Sequence, residues 1–414
     1  MRPLFAKVTI LLLFRCGAGG GLMRIHSMKS MNRPTPSLSI TSTSNRSLKT
    51  RDRSIARLGA SLLVGIVVLC TVGIVGAVAD EFPSFNQRGN LLISDQFNNR
   101  VIEVDHTGVI LWQWGLGPND LSASSILGVN DAQRVGHFTL MAGTGVPPGA
   151  EPGCPSGCAD NRVLLVDRDG TVVWQYGTFG VTGSGPNQLN TPVQNTWLPN
   201  GHVLITDQAN ERIIEVERGN PNPVWQYGQT GVTGNGPNQL NNPNAAELLE
   251  NGHILISDLN NNRAIEVTHT TPSQIVATFT IGGTASGVAF ASRLENGHTL
   301  ITDSNNNRIV EVDAHDAPVW TYVTNTETGS NPNPLPTRAV RLRDGLTVIS
   351  DQFNHRVIYV NHAGHIVRSF GNLNMPGFGN TSTQSGLNAP YDAKVNGDYT
   401  GITPPFADER NDDD

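Results

Sequence analysis

The stretch Asn200–Gly228, NGHVLITDQANERIIEVERGNPNPVWQYG, decides the fold. It holds three short apolar runs, His202–Thr206, Ile213–Val216 and Pro223–Tyr227, split by Asp-Gln-Ala-Asn and by Arg-Gly-Asn-Pro-Asn. Spacers of that composition break helix and strand alike: Asn and Asp bond their own backbone, Gly reaches positive φ, and Pro lacks a donor. Three short strands with tight connections form an antiparallel meander, which cannot bury its apolar face alone. The sequence repeats it.

Gly89–Gly115, GNLLISDQFNNRVIEVDHTGVILWQWG, is a first copy. A second begins at Gly136 (GHFTLMAG), is interrupted by Thr144–Asp160, and resumes as NRVLLVDRDGTVVWQYG, Asn161–Gly177. After the opening stretch, further copies start at Asn251, Asn296 and Asp344. The residue closing the first run is Asp95, Asp207, Asp258, Asp303 or Asp351, with Ala142 in copy two, at spacings of 47, 65, 51, 45 and 48. The insertion accounts for the 65. A period near 48 with several strands per unit predicts a propeller blade and excludes a helical solenoid.

A fourth, inner strand precedes each meander, as in Val193–Leu198, Ala245–Leu249, Val288–Leu294 and Arg338–Leu342. Gly-rich connectors ending in Pro lead into it: GTFGVTGSGPNQLNTP at Gly177–Pro192 and GQTGVTGNGPNQLNNP at Gly228–Pro243. The same text returns, weakened, as GLNAPYDA at Gly386–Ala393, with no blade after it. The prediction is an all-β, six-bladed β-propeller over 84–400 whose C-terminal segment supplies the first blade's inner strand, removing open sheet edges.

A Gly-rich connector ending in Pro, a strand closing on Asp, and Asn-x-Arg or Asn-Arg opening the next strand resemble the NHL-repeat family over essentially all of 84–395. The rhythm is more loosely similar to bacterial arylsulfotransferase-like propellers. The resemblance implies a six-bladed propeller that binds partners; a minority of such relatives are lyases or hydrolases working in the central channel.

The first eighty residues differ. Eleven of the 28 Lys and Arg but one of the 35 acidic residues precede Asp80, so a leader of net charge +10 leads a body of −17. An acidic body argues against nucleic-acid binding, which needs cations to displace counterions. Residues 1–57 read as a basic leader that is no folded domain. Residues 58–79 hold an uncharged run after Arg46, Lys49, Arg51, Arg53 and Arg57, ending in Ala77-Val78-Ala79. That pattern fits a cleaved export signal and is also long enough for a membrane anchor. Both readings put the propeller outside the cytoplasm, secreted or anchored through the N-terminal segment. The acidic end, 401–414, reads as a solvated tail. Of four cysteines, Cys154 and Cys158 form C-P-S-G-C without local partners for a metal, which predicts a disulfide loop.

Arg recurs in every copy, as Arg100, Arg162, Arg212, Arg263, Arg308 and Arg356. A six-fold Asp and Arg device suits blade assembly, with each buried charge matched; the competing reading is an acidic ring for Ca²⁺ at the channel mouth. No other cofactor is expected. His137, His202, His253 and His298 share one register and read as turn-side histidines bonded to backbone rather than metal ligands. Trp112, Trp174, Trp225 and Trp320 read as packing between blades.

Function is therefore sought where copies differ. Copy two carries the Cys154–Cys158 insertion. Copy six brings His355 and Tyr359, after an inner strand with Arg338, Arg341 and Arg343, candidates to receive an anionic ligand or to pair with neighbouring carboxylates. No hydrolase elbow, metalloprotease or phosphate-loop motif is present. The expected role is a binding or scaffold module for a protein or glycan partner, with a channel enzyme as the alternative.

Overall fold

A computed structural model of the chain describes residues 85–378 and 386–398. The leader, the apolar run at 58–79 and the tail at 401–414 lie outside these residues. Among the described residues no helix is long and apolar enough to cross a membrane.

Six four-stranded antiparallel sheets form the ring. In blade 3 the strands Pro192–Trp197, Val203–Asp207, Arg212–Val216 and Pro223–Tyr227 pair in chain order from the axis outward. The expected inner strands lie within two residues of those observed. Blade 1 takes its inner strand, Pro390–Val395, from the C-terminus, with Leu91 opposite Val395 and Asp95 opposite Pro390. Blade 6 ends with Ile366–Gly371, so blades 6 and 1 meet at the closing seam. Apolar residues of adjacent blades form the core, as where Ile213 and Tyr227 of blade 3 meet Ile254, Ile256 and Val267 of blade 4.

The repeated Asp and Arg act as a clasp. The spacer after Asp207 makes one 3₁₀ turn, Gln208–Asn210, and Glu211 follows in the left-handed region at φ 58°. Asp207 Oδ2 accepts from Asn210 Nδ2 at 2.7 Å and Arg212 Nε at 2.8 Å, while Oδ1 accepts the Asn190 N–H of the incoming connector at 2.8 Å. Blade 1 repeats this, with Asp95 joined to Asn98, Arg100 and the Asn388 N–H. One carboxylate thus ties connector, turn and third strand. Asp258, Asp303 and Asp351 pair likewise with Arg263, Arg308 and Arg356. Desolvation raises the carboxyls of Asp95, Asp207, Asp258 and Asp351 even against the arginine, so the match with Arg is what makes burial tolerable.

Copy two corrects the sequence alignment. Gly143, not Ala142, stands opposite Arg162. Arg162 instead bonds Asp160, two residues earlier on its own strand. A Cβ at Gly143 would lie 2.5 Å from the Asp160 carboxyl group. The carboxylate has moved across the hairpin, and the glycine makes room for it.

Blades also hold one another at the rim. Trp112, Trp225 and Trp320 donate their indole N–H to carbonyls of the next blade's outer turn, Arg168, Thr270 and His362. Arg134, Arg293 and Arg341 of blades 2, 5 and 6 pair with Glu103, Glu266 and Glu311 of the preceding blade. The histidines depart from expectation. His202, His253 and His298 bond the carboxylates of Glu215, Glu266 and Glu311 through Nδ1 rather than backbone, because register sets the turn beside the third strand's Glu. Burial works to raise Glu215, but His269, Asn200 and His202 outweigh it and hold its carboxyl down at about 2. Its stabilising contribution is present above the unfolded value near 4.5 and is lost only as pH falls through about 2.

Candidate functional site

Inner strands alternate, so every second side chain faces the axis. Arg338 of blade 6 crosses it. Its Nη1 lies 2.7 Å from Asp131 (blade 2) and 3.0 Å from Asp392 (blade 1), its Nη2 3.1 Å from Glu247 (blade 4), and its Cζ 4.0 Å from the centre of the Phe290 ring of blade 5. Lys394 adds a second cation, 2.6 Å from Asp131 and bonded to Asp392. All five charged groups are buried. Desolvation raises Asp131, whereas for Asp392 the pull of Arg338 and Lys394 outweighs desolvation and lowers it. Asp392, Asp131 and Gln194 also accept the N–H groups of Ala132, Asn195 and Ala246 on the next inner strand. The cavity beside Arg338 on the axis measures about 10 Å³, room for a single water. The channel is a strut.

The other sequence candidates are not brought together. Arg341 pairs with Glu311 at 2.9 Å and lies over Trp320. Arg343 is exposed and donates to the Gly397 carbonyl at 3.1 Å. His355 follows a 3₁₀ turn at φ 54°; its Nδ1 accepts the Ala389 N–H at 3.0 Å, and burial lowers its pKa. Tyr359 is buried against Phe370 and under the Arg368 guanidinium, its hydroxyl pushed up by burial to about 12. Arg338, Arg341, Arg343, His355 and Tyr359 thus occupy separate seams and ends of blade 6. Among the described residues no group of three His, Cys, Asp or Glu is placed to hold a metal.

The insertion of copy two does build a site. It lengthens the middle strands of blade 2 to Phe138–Val146 and Cys158–Val166, with Val146 opposite Cys158. Cys154 and Cys158 are joined by a disulfide, Cα atoms 5.7 Å apart. Leu127, Val146 and Cys154 form a small core under the tip, with Leu121 and Phe179 against it. Between this hairpin and the connector into blade 3 lies a pocket of about 450 Å³. Its polar lining is Gln96, Thr144, Ser156, Asn161, Thr182, Asn190 and Thr191, beside Val146, Pro147 and Cys158. Amides and hydroxyls line it, and no charged side chain does. They are held in place: Asn161 donates to Thr182 Oγ1 at 2.9 Å, and Thr144 donates to the Pro192 carbonyl at 2.6 Å. Gln96 joins pocket to channel mouth by donating to Asn130 at 2.7 Å and accepting from Gln352 at 2.8 Å.

Sequence reasoning missed Glu151, which anchors the hairpin. Its carboxylate is buried and accepts from Asn99 Nδ2 at 3.0 and 3.2 Å, while Asn99 Oδ1 accepts the Gly128 N–H at 2.8 Å. Burial raises the carboxyl to about 7, against the Asn99 bond. Between the unfolded value of 4.5 and 7 the folded state keeps a proton the unfolded state has lost, so this group's stabilisation declines as pH rises through 7. Glu151→Gln keeps the amide contact without the charge. A tenfold difference in proton affinity between folded and unfolded states corresponds to about 1.4 kcal/mol. Discounted for partial solvent screening, the variant is expected to gain about 2 kcal/mol at pH 8 and almost nothing at pH 4.5. Melting curves at the two pH values check this; an equal effect at both would refute it.

No family model matches the chain, and no curated protein sequence does. Solved structures share the fold at low identity. A protein of unknown function from Bacteroides caccae is 14% identical, with 68% of this chain and 93% of that one covered and a TM-score of 0.49. Virginiamycin B lyase from Staphylococcus aureus is 14% identical over 60% and 71% of the two chains, TM-score 0.40. The WD40 propeller domain of Doa1 is 13% identical over 70% and 88%, TM-score 0.42. These likenesses concern the fold alone.

Proposed function

We propose that the chain is an NHL-type binding propeller, exported and either released or anchored by its N-terminal segment, that seats an uncharged, hydrogen-bonding stretch of a protein or glycan partner in the pocket beside the insertion of blade 2. The observation that carries this reading is the lining: preset amides and hydroxyls, with no charged side chain, on a wall that only this blade possesses. Such groups recognise neutral polar ligands by hydrogen bonds, and binding residues concentrate on loops held by a rigid frame. The axis, where a channel enzyme would hold its substrate, is occupied by Arg338 and its carboxylates. Export is supported by the basic flank, apolar run and Ala-x-Ala of the leader, and an oxidising compartment suits the Cys154–Cys158 loop.

Pull-down from envelope and extracellular fractions with the 80–414 body tests the proposal. Ser156→Arg, on an exposed tip residue, introduces a bulky cation at the pocket. It is expected to cut partner recovery at least tenfold at an unchanged melting temperature; undiminished recovery sinks the pocket assignment.

A further inference from the structure

The closing seam holds a second cavity, of about 210 Å³, with an apolar wall of Ile93, Ile102, Val104, Ile110, Phe370 and Leu387 and a polar side that includes Arg100 and Asn372. The repeat explains its shape. In the third strand of each blade one residue faces a partner on the outer strand: Glu103 with Trp112, Leu165 with Trp174, Glu215 with Trp225, and Glu311 with Trp320. In blade 6 the pair is Tyr359 with Arg368. Trp225 of blade 3 packs with Ile256, Ile265, Val267 and Ile275 of blade 4. Pairing registers make Ile93, Ile102, Val104 and Ile110 the equivalents of those four residues in blade 1. They wall the cavity. Arg368 does not enter it; its side chain is exposed, with Cζ 5.2 Å from the Tyr359 ring centre. The other seam without tryptophan follows Ala277 of blade 4, and there Asp316 of blade 5 bridges the gap by accepting from the Thr280, Ile281 and Gly282 N–H groups.

We propose that the closing seam is a binding site for a free planar aromatic of indole size, which takes the place that a tryptophan of the preceding blade takes at other seams. A closed apolar cavity of ~150 Å³ admits benzene; the seam cavity is larger, at about 210 Å³, and has room for a fused second ring laid against its aliphatic wall with one edge toward its polar side. The repeat also points to an acceptor for a hydrogen bond, at the outer turn. Trp112 and Trp320 donate to the second residue of the next blade's outer turn, Arg168 and His362. In blade 1 the same turn runs from Asp105 to Gly108; Thr107 and Gly108 line the cavity, and His106 beside them is the equivalent residue. The ligand class is therefore a flat aromatic with one N–H donor on its edge. This site is separate from the pocket of blade 2.

Indole itself is the probe, added to the full chain. The expected result is saturable one-to-one binding by calorimetry, a rise in melting temperature with indole concentration, and loss of both in Arg368→Trp, whose own indole fills the socket and raises the melting temperature without ligand. Should that variant not fold, Ile110→Phe, which narrows the socket from a half-buried position, is expected to weaken indole binding at least tenfold. Absence of saturable binding, or binding undiminished by both substitutions, overturns the proposal. Binding that appears only in Phe378→Ala also overturns it, since the exposed Phe378 beyond blade 6 would then be the socket's natural occupant.

Discussion

Arg338→Ala is expected to destabilise the propeller by about 4 kcal/mol, a fall of roughly 6 °C in melting temperature. The side chain neutralises carboxylates from three blades and lies over an aromatic ring of a fourth. Its removal leaves Asp131 and Asp392 with Lys394 as their cation and takes from Glu247 the guanidinium that neutralises it, all in a buried site. A buried carboxylate stripped of its counterion costs far more than an exposed pair is worth, because desolvation is no longer offset. The deficit should shrink as pH falls from 7 to 5, since carboxylates without their cation bind protons more readily in the folded state. Thermal unfolding across that pH range checks both statements. A loss below 1 kcal/mol, or one that grows towards acid, would show that the axis is not held by this network.

Removing the closing strand should do more. Truncation before Gly386 takes away Pro390–Val395 with Asp392 and Lys394, and leaves Leu91–Asp95 as an unpaired inner edge beside a charge network missing two members. The expected product has no cooperative transition and binds a hydrophobic dye at 25 °C. A peptide spanning 386–398, added in excess, is expected to restore the transition, because strand addition to an exposed edge regains the main-chain bonds. A truncated chain with the parent melting temperature would contradict ring closure by this segment.

Much of this was legible in the sequence, for a physical reason. The clasp needs Asp, Asn and Arg at fixed offsets around a single 3₁₀ turn, so its geometry is written in five of the six copies and those copies align. Reading failed where chemistry was kept while position changed. Asp160 supplies the carboxylate for Arg162 from the wrong side of the hairpin, and only a close approach in space explains Gly143. The axis shows the same limit. Asp131, Glu247, Asp392 and Lys394 are visible as charges on inner strands, but Arg338 meets partners 207 and 91 residues away in sequence. No local pattern records such a meeting. The insertion was identifiable as the departure from the repeat, whereas Glu151 was indistinguishable from a surface acid until Asn99 was found beside it.

The pairing of Leu91 with Val395 bears on how the molecule comes into being. Blade 1 is translated first and completed last: its three outer strands emerge some three hundred residues before the strand that seals them. Closing so long a loop is slow, because its entropy is lost before any contact rewards it. A product of synthesis interrupted before Val395 therefore carries an open edge that proteases can recognise. With the sealing strand so far from its partner in the chain, the stability of the first blade waits on synthesis of the last.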